Sequence, residues 1–127
     1  MERINIFRIV KTTEEILNSK EIKATLDFKE IYSLTKLNKK AAAINKRTTE
    51  REQDIRNAFA EAGKDINAEE KKELNKAFRK DLQDLFSEEV EFAVEVRLDP
   101  SRCEAMLRQL SGDGTEIAVD YLIEEIK

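Results

Sequence analysis

Histidine and tryptophan are absent from this chain, and cysteine occurs once, at Cys103. Without histidine there is no Ser-His or Cys-His nucleophile pair, no imidazole base and no imidazole metal ligand. One cysteine forms neither an intrachain disulfide nor a thiolate zinc or iron–sulfur cage, and a lone free thiol fits a reducing cytoplasm. On its helix stripe Cys103 reads as a small buried hydrophobe. Long apolar runs are also missing: Ala41-Ala42-Ala43-Ile44 is among the longest, whereas a bilayer span needs about 20 residues. Glu2, Arg3, Arg8 and Lys11 interrupt any secretion-signal core. These absences lead us to expect a soluble, non-catalytic protein with no cofactor, no metal, no membrane and no small-molecule substrate.

What the chain has is charge. Of its 127 residues, 39% are charged, 40% hydrophobic and only 6% aromatic, with three glycines and one proline. That balance predicts a helix-rich, elongated, well-solvated protein, and the length suits one domain, 1–127. The net charge of −4 divides unevenly: residues 1–87 hold 19 basic and 16 acidic side chains, and residues 88–127 hold 4 and 11. The chain is therefore electrically two-ended in sequence.

The opening segment reads two ways. Ile6, Ile9, Val10, Thr13, Ile16 and Leu17 share a helical face, yet Ile4, Ile6 and Val10 also fit a short alternating strand. Thr12 with Glu15 resembles a capping box, which favours a strand followed by a short helix. Residues 3–10 are therefore strand or helix, and Asn18-Ser19-Lys20 marks a break.

From about 27 to 62 there is neither glycine nor proline, and a single helix about 54 Å long is predicted. Leu34, Leu37, Ala41, Ile44, Thr48, Arg51, Ile55, Ala58 and Ala62 alternate by three and four, a heptad seam that Phe28, Ile31 and Phe59 widen. The seam is thin at Thr48 and Arg51, so a partner is held loosely there. Gly63 is placed for a left-handed helix end, and Asn67 with Glu70 caps a second helix over about 68–87. Leu74, Phe78, Leu82 and Leu85 form its apolar stripe. The short connection makes the two helices an antiparallel hairpin.

At Glu89 the period changes to two. Val90, Phe92, Val94, Val96 and Leu98 alternate with mostly charged residues, which predicts a strand over about 89–98, paired with the N-terminal segment or with a second subunit. Two short helices follow: one started by Asp99-Pro100 and carrying Cys103, Met106, Leu107 and Leu110, the other capped by Thr115. Between them Ser111-Gly112-Asp113-Gly114 is a turn without the lysine or spacing of a phosphate loop. The predicted fold is mainly α with a small β element.

Two charged groups are candidate interaction sites. Lys36, Lys39, Lys40, Lys46, Arg47 and Arg51 form a basic band, suited to a phosphate backbone or an acidic protein surface. The commoner meaning of such a band is a solvated helix face, here one that also pairs with Glu69, Glu70, Glu73 and Asp81. Glu89, Glu91 and Glu95 project from the strand's wet face, where they lack the pocket that acid–base chemistry needs and the convergence that a cation needs.

In outline the chain resembles a family of small proteins from tailed phages and prophages of Gram-positive bacteria. The matching stretches are Ala77-Phe78-Arg79-Lys80-Asp81-Leu82-Gln83-Asp84-Leu85-Phe86, Glu88-Glu89-Val90-Glu91-Phe92-Ala93-Val94 and Tyr121-Leu122-Ile123-Glu124-Glu125. The resemblance runs from about residue 26 and departs at Asp99-Pro100-Ser101-Arg102-Cys103, which is more helical than the family's connector. It implies phage origin and a small helical protein, in the cytoplasm of an infected or lysogenic host or in the virion, and no activity. The resulting expectation is an accessory protein acting by protein–protein contact and forming a homo-oligomer, as a virion or assembly component or as an inhibitor of a host or anti-phage defence factor. Nucleic-acid binding through Lys36 to Arg51 is the alternative.

Overall fold

The computed structural model describes residues 1–99, 110 and 115–122. Among the described residues there are five helices: α1 (Arg3–Asn18), α2 (Lys20–Lys23), α3 (Phe28–Ala62), α4 (Ala68–Ser87) and α5 (Thr115–Leu122). The fold is mainly helical and its central feature is the α3–α4 hairpin, as expected. The first C-terminal helix and Cys103 lie outside the described residues, as do the Ser111–Gly114 turn and Ile126.

The opening segment resolves as helix. Ile6, Ile9, Val10, Thr13 and Ile16 are all buried, a spacing of three and four that a strand cannot present to one side. No side chain caps the start of α1. The Arg3 N–H instead donates to the Glu88 carbonyl at 3.1 Å, so the helix start is satisfied by a segment 85 positions away. The Thr12–Glu15 capping box does not form: Thr12 and Thr13 are buried inside the helix. Thr13 Oγ1 donates back to the Ile9 carbonyl at 2.7 Å and accepts from Asn38 Nδ2 at 2.8 Å. That bond is a polar stitch between α1 and α3, and it removes the cost of burying a lone hydroxyl.

Ser19 ends α1 and caps α2, accepting from the Ile22 N–H at 3.3 Å. Asp27 and Glu30 then form a reciprocal capping box that starts α3. Along α3 the seam changes partner. Leu34, Leu37 and Ala41 are buried in the core with Ile6, Ile9, Val10 and Ile16 of α1, whereas Ile55 and Phe59 face α4. Phe28 departs from the expected seam and stands 82% exposed: with Tyr32, Lys36 and Lys40 it forms an i, i+4 row on the outward side of α3, while Leu26 before it and Ile31 after it pack on the core.

Gly63 also differs from expectation. Its φ is −79°, right-handed, and the left-handed position of the turn falls on Asp65, φ 56°. The Gly63 N–H still bonds the Phe59 carbonyl at 2.9 Å, so one more residue of helical backbone is used before the reversal. Asp tolerates that conformation better than most residues with a side chain. Asn67 caps α4 as predicted, accepting from the Glu70 N–H at 2.9 Å.

Residues 88–99 are extended and show the expected alternation: Val94 and Leu98 are buried, Val90, Phe92 and Val96 half-buried, and residues 91, 93, 95, 97 and 99 exposed. They do not form the predicted strand. Among the described residues, pairing is limited to two isolated bridge positions: an antiparallel bridge between Glu2 and Glu89, with Val90 and Met1 exchanging hydrogen bonds beside it, and a second bridge position at Leu98. The anticipated N-terminal partner is thus present for only one step. Beyond it the apolar side chains seat the segment on the helical core without a ladder, and Arg97 Nη1 donates to the carbonyls of Val94 and Val96. The Leu98 N–H reaches the Leu122 carbonyl, and Ala118, Val119 and Leu122 of α5 complete the core.

That core occupies one end of the molecule. The last buried residue of α3 is Thr48, and the single buried residue of α4 is Leu85. Beyond them the hairpin runs on as an arm, about 20 Å long at roughly 1.5 Å per residue.

Candidate interaction surfaces

The arm is fastened to the core at Glu88. Its carboxylate accepts from Arg3 Nε and Nη2 at 3.3 and 3.1 Å, and Arg51 Nη1 lies 2.9 Å from each carboxylate oxygen. Arg3 Nη1 donates in turn to the buried Thr48 Oγ1 at 2.8 Å. The hydrogen bond from Arg51 first, then that from Arg3, holds the Glu88 carboxyl below the ordinary value of 4.5. The weak seam positions Thr48 and Arg51 therefore have a polar purpose: they are where α1, α3 and the end of α4 are tied together.

The basic band lies on the solvent side of α3, opposite the core. Lys36, Lys39, Lys40, Lys46, Arg47 and Arg51 are all exposed, but Arg51 is committed to Glu88. The expected pairing of the band with Glu69, Glu70, Glu73 and Asp81 does not occur. The antiparallel register sets Phe59 against Phe78 and Gly63 beside Leu74, so the acidic half of α4 lies along the far half of α3. Charge pairs on the arm instead run within a helix, as in Arg56–Glu52 and Lys76–Glu73.

Glu89, Glu91 and Glu95 are exposed, as expected for the outward face of residues 88–99. Glu89 takes the Met1 amino group at 2.8 Å. Glu95 lines a groove of about 260 Å³ with Ser33, Lys36, Leu37, Lys40 and Val96. Glu95 of the acidic segment thus borders Lys36 and Lys40 of α3.

Two further surfaces lie outside the candidate interaction sites read from sequence. At the start of α3, Phe28 and Tyr32 stack on each other with ring centroids 6.4 Å apart, and Lys36 Nζ stands 5.2 Å from the Tyr32 ring centroid. Phe28 (82%) and Tyr32 (57%) are the strongly exposed large apolar side chains among the described residues. On the arm, Ile55, Phe59, Leu74 and Phe78 line an open groove of about 370 Å³ floored by Ala58, Ala62 and Ala77. Its charged lining residues are Asp54 on α3 and Asp81 on α4; Arg56 is paired with Glu52 and lies over the Phe78 ring at 5.7 Å. The stripe of α4 signalled this groove in sequence, but the acidic rim depends on the register.

None of the described helices is long and apolar enough to cross a membrane. No family model, no curated protein and no solved structure matches the chain.

Proposed function

We propose that the protein acts without catalysis, as a phage accessory protein that holds another protein through the distal half of its helical hairpin. The observation that carries this reading is the arm itself. Residues 49–84 include no buried residue, yet Ile55, Phe59, Leu74 and Phe78 gather around one open groove. Ordering a residue's backbone costs about 1–2 kcal/mol, and an arm without a core of its own recovers little of that from burial. An uncovered apolar groove with a polar rim is the ordinary form of a protein-docking surface. Support for a phage source comes from the resemblance carried by residues 77–86, 88–94 and 121–125.

Assembly component and inhibitor of a host factor both belong to this class. Nucleic-acid binding along α3 is less well supported, because Arg51 is taken by Glu88 and Glu95 borders Lys36 and Lys40. The reading is tested by placing a photo-crosslinking amino acid at Ala58 in the groove, with a control at Lys72 outside it, in cells that make the full chain. A discrete protein adduct through position 58 and none through 72 is expected. No adduct at 58, or the same adducts at both positions, overturns the reading.

A further inference from the structure

Resting on the protein-contact reading, we propose that the occupant of the distal groove is the Phe28–Tyr32 end of α3 from a second copy of the chain. The two surfaces complement each other chemically. The groove is apolar between two aspartates, Asp54 and Asp81, and no lysine or arginine lines it. The helix end is aromatic beside lysines: Phe28, Tyr32, Lys36 and Lys40 follow one another four apart, Lys29 is exposed next to Phe28, and the one carboxylate lining the groove at Lys36 and Lys40 is Glu95, so the cations outnumber it. The nearby acids Asp27 and Glu30 are engaged with each other's backbone N–H groups. That capping box fixes the helix end, so the aromatic pair is ordered before it docks, which lowers the entropy cost of association.

The contact cannot close within one molecule. Tyr32 and Phe59 are 27 positions apart on one continuous helix, about 40 Å at roughly 1.5 Å per residue. A groove docked on the same groove sets Asp54 and Asp81 against their own copies, and a helix end docked on another helix end sets lysine against lysine. Like charges at both symmetric contacts leave the heterologous one, helix end into groove. The contact is a single helix end in a short groove, smaller than a standard interface, so association is expected in the micromolar range or weaker.

Light scattering with sedimentation tests this on the full chain from low micromolar to near-millimolar concentration. The wild-type mass should rise above the 14.7 kDa of the monomer as concentration increases, and added salt should oppose the rise. Phe28→Ser with Tyr32→Ser removes the helix end, and Asp54→Lys with Asp81→Lys reverses the groove rim. Each double variant alone should stay monomeric, with association weakened at least about 30-fold, as for loss of an aromatic hot spot. Mixed one to one they should form a dimer, because each supplies the surface the other lacks. All four positions are exposed, so unchanged helical circular dichroism and melting confirm the fold.

A wild-type chain that is monomeric throughout overturns the proposal, as does self-association of the Phe28→Ser, Tyr32→Ser variant or a mixture that does not combine. The adduct at Ala58 separates this failure from that of the broader reading. A different protein crosslinked there refutes the second copy and leaves protein contact standing, whereas a monomer with no adduct refutes both.

Discussion

Two leucine truncations, one in the core and one on the arm, measure how unequally stability is distributed in this molecule. Leu34 on α3 is fully buried, 0% exposed, within the core shared with α1. Leu34→Ala removes its transfer free energy and leaves a cavity that close-packed neighbours fill incompletely, a loss of about 3–5 kcal/mol. Leu74 on α4 has the same chemistry but is half-buried beside the open groove. Its truncation exposes little that water does not already reach, so Leu74→Ala is expected to cost about 1 kcal/mol. For a chain of this length each kcal/mol shifts the melting temperature by about 3–5 °C. Leu34→Ala should therefore lower it by about 9–25 °C and Leu74→Ala by about 3–5 °C. Thermal and urea unfolding followed by far-ultraviolet circular dichroism, at low micromolar concentration to exclude association, gives both numbers. Equal losses, or a loss above about 3 kcal/mol at Leu74, would show the arm to be packed like a core and refute the reasoning.

Three further outcomes are expected. Because the folded-state Glu88 carboxyl titrates below its ordinary 4.5, the unfolded chain binds more protons near that value, and the stabilisation is complete above it and lost as pH falls through the lowered value. Glu88→Gln should flatten the acid side of the melting-temperature profile between about pH 3 and pH 5, and a profile as steep as wild type would discount the Arg51 and Arg3 bonds. At the hairpin turn, Asp65→Gly should be neutral or stabilising by up to about 1 kcal/mol, since Asp65 holds the left-handed backbone. Gly63→Ala should change stability by less than about 1 kcal/mol: its backbone is right-handed, and the added Cβ meets the Phe59 oxygen at a tight 3.2 Å that offsets the entropy gained. A larger loss at 63 than at most left-handed glycines would contradict that geometry.

Much of the helical frame was legible because its signals are local. Asn67 with Glu70 lies within one turn of the end it caps, and both helices of the hairpin span the residues that the pattern gives them. The features that were not legible depend on partners far along the chain. The start of α1 is capped by the Glu88 carbonyl, so the local Thr12–Glu15 signal competed with a tertiary one and lost. The alternation of residues 90–98 records which side chains face the core, and burial by helices produces the same pattern as burial in a sheet. Among the site residues, Lys36, Lys40 and Glu95 do meet at one groove. Arg51 was misread as an open cation because its partner Glu88 adjoins it only through the hairpin register. Phe28 falls off the seam because it shares an outward i, i+4 row with Tyr32, Lys36 and Lys40, while Ile31 and Leu34 turn to the core.

The Glu88 tie also gives the molecule a mechanical property. Two helices packed about 8–10 Å apart behave as parallel rods, and their relative slide near the core is constrained where the carboxylate joins Arg51 of one rod to Arg3 beneath. With an arm about 20 Å long, a slide of about 1 Å at that point swings the tip by about 2 Å. The lever gains about twofold from pivot to tip, so the carboxylate at one end of the arm bears on the direction in which Phe59 and Phe78 point at the other.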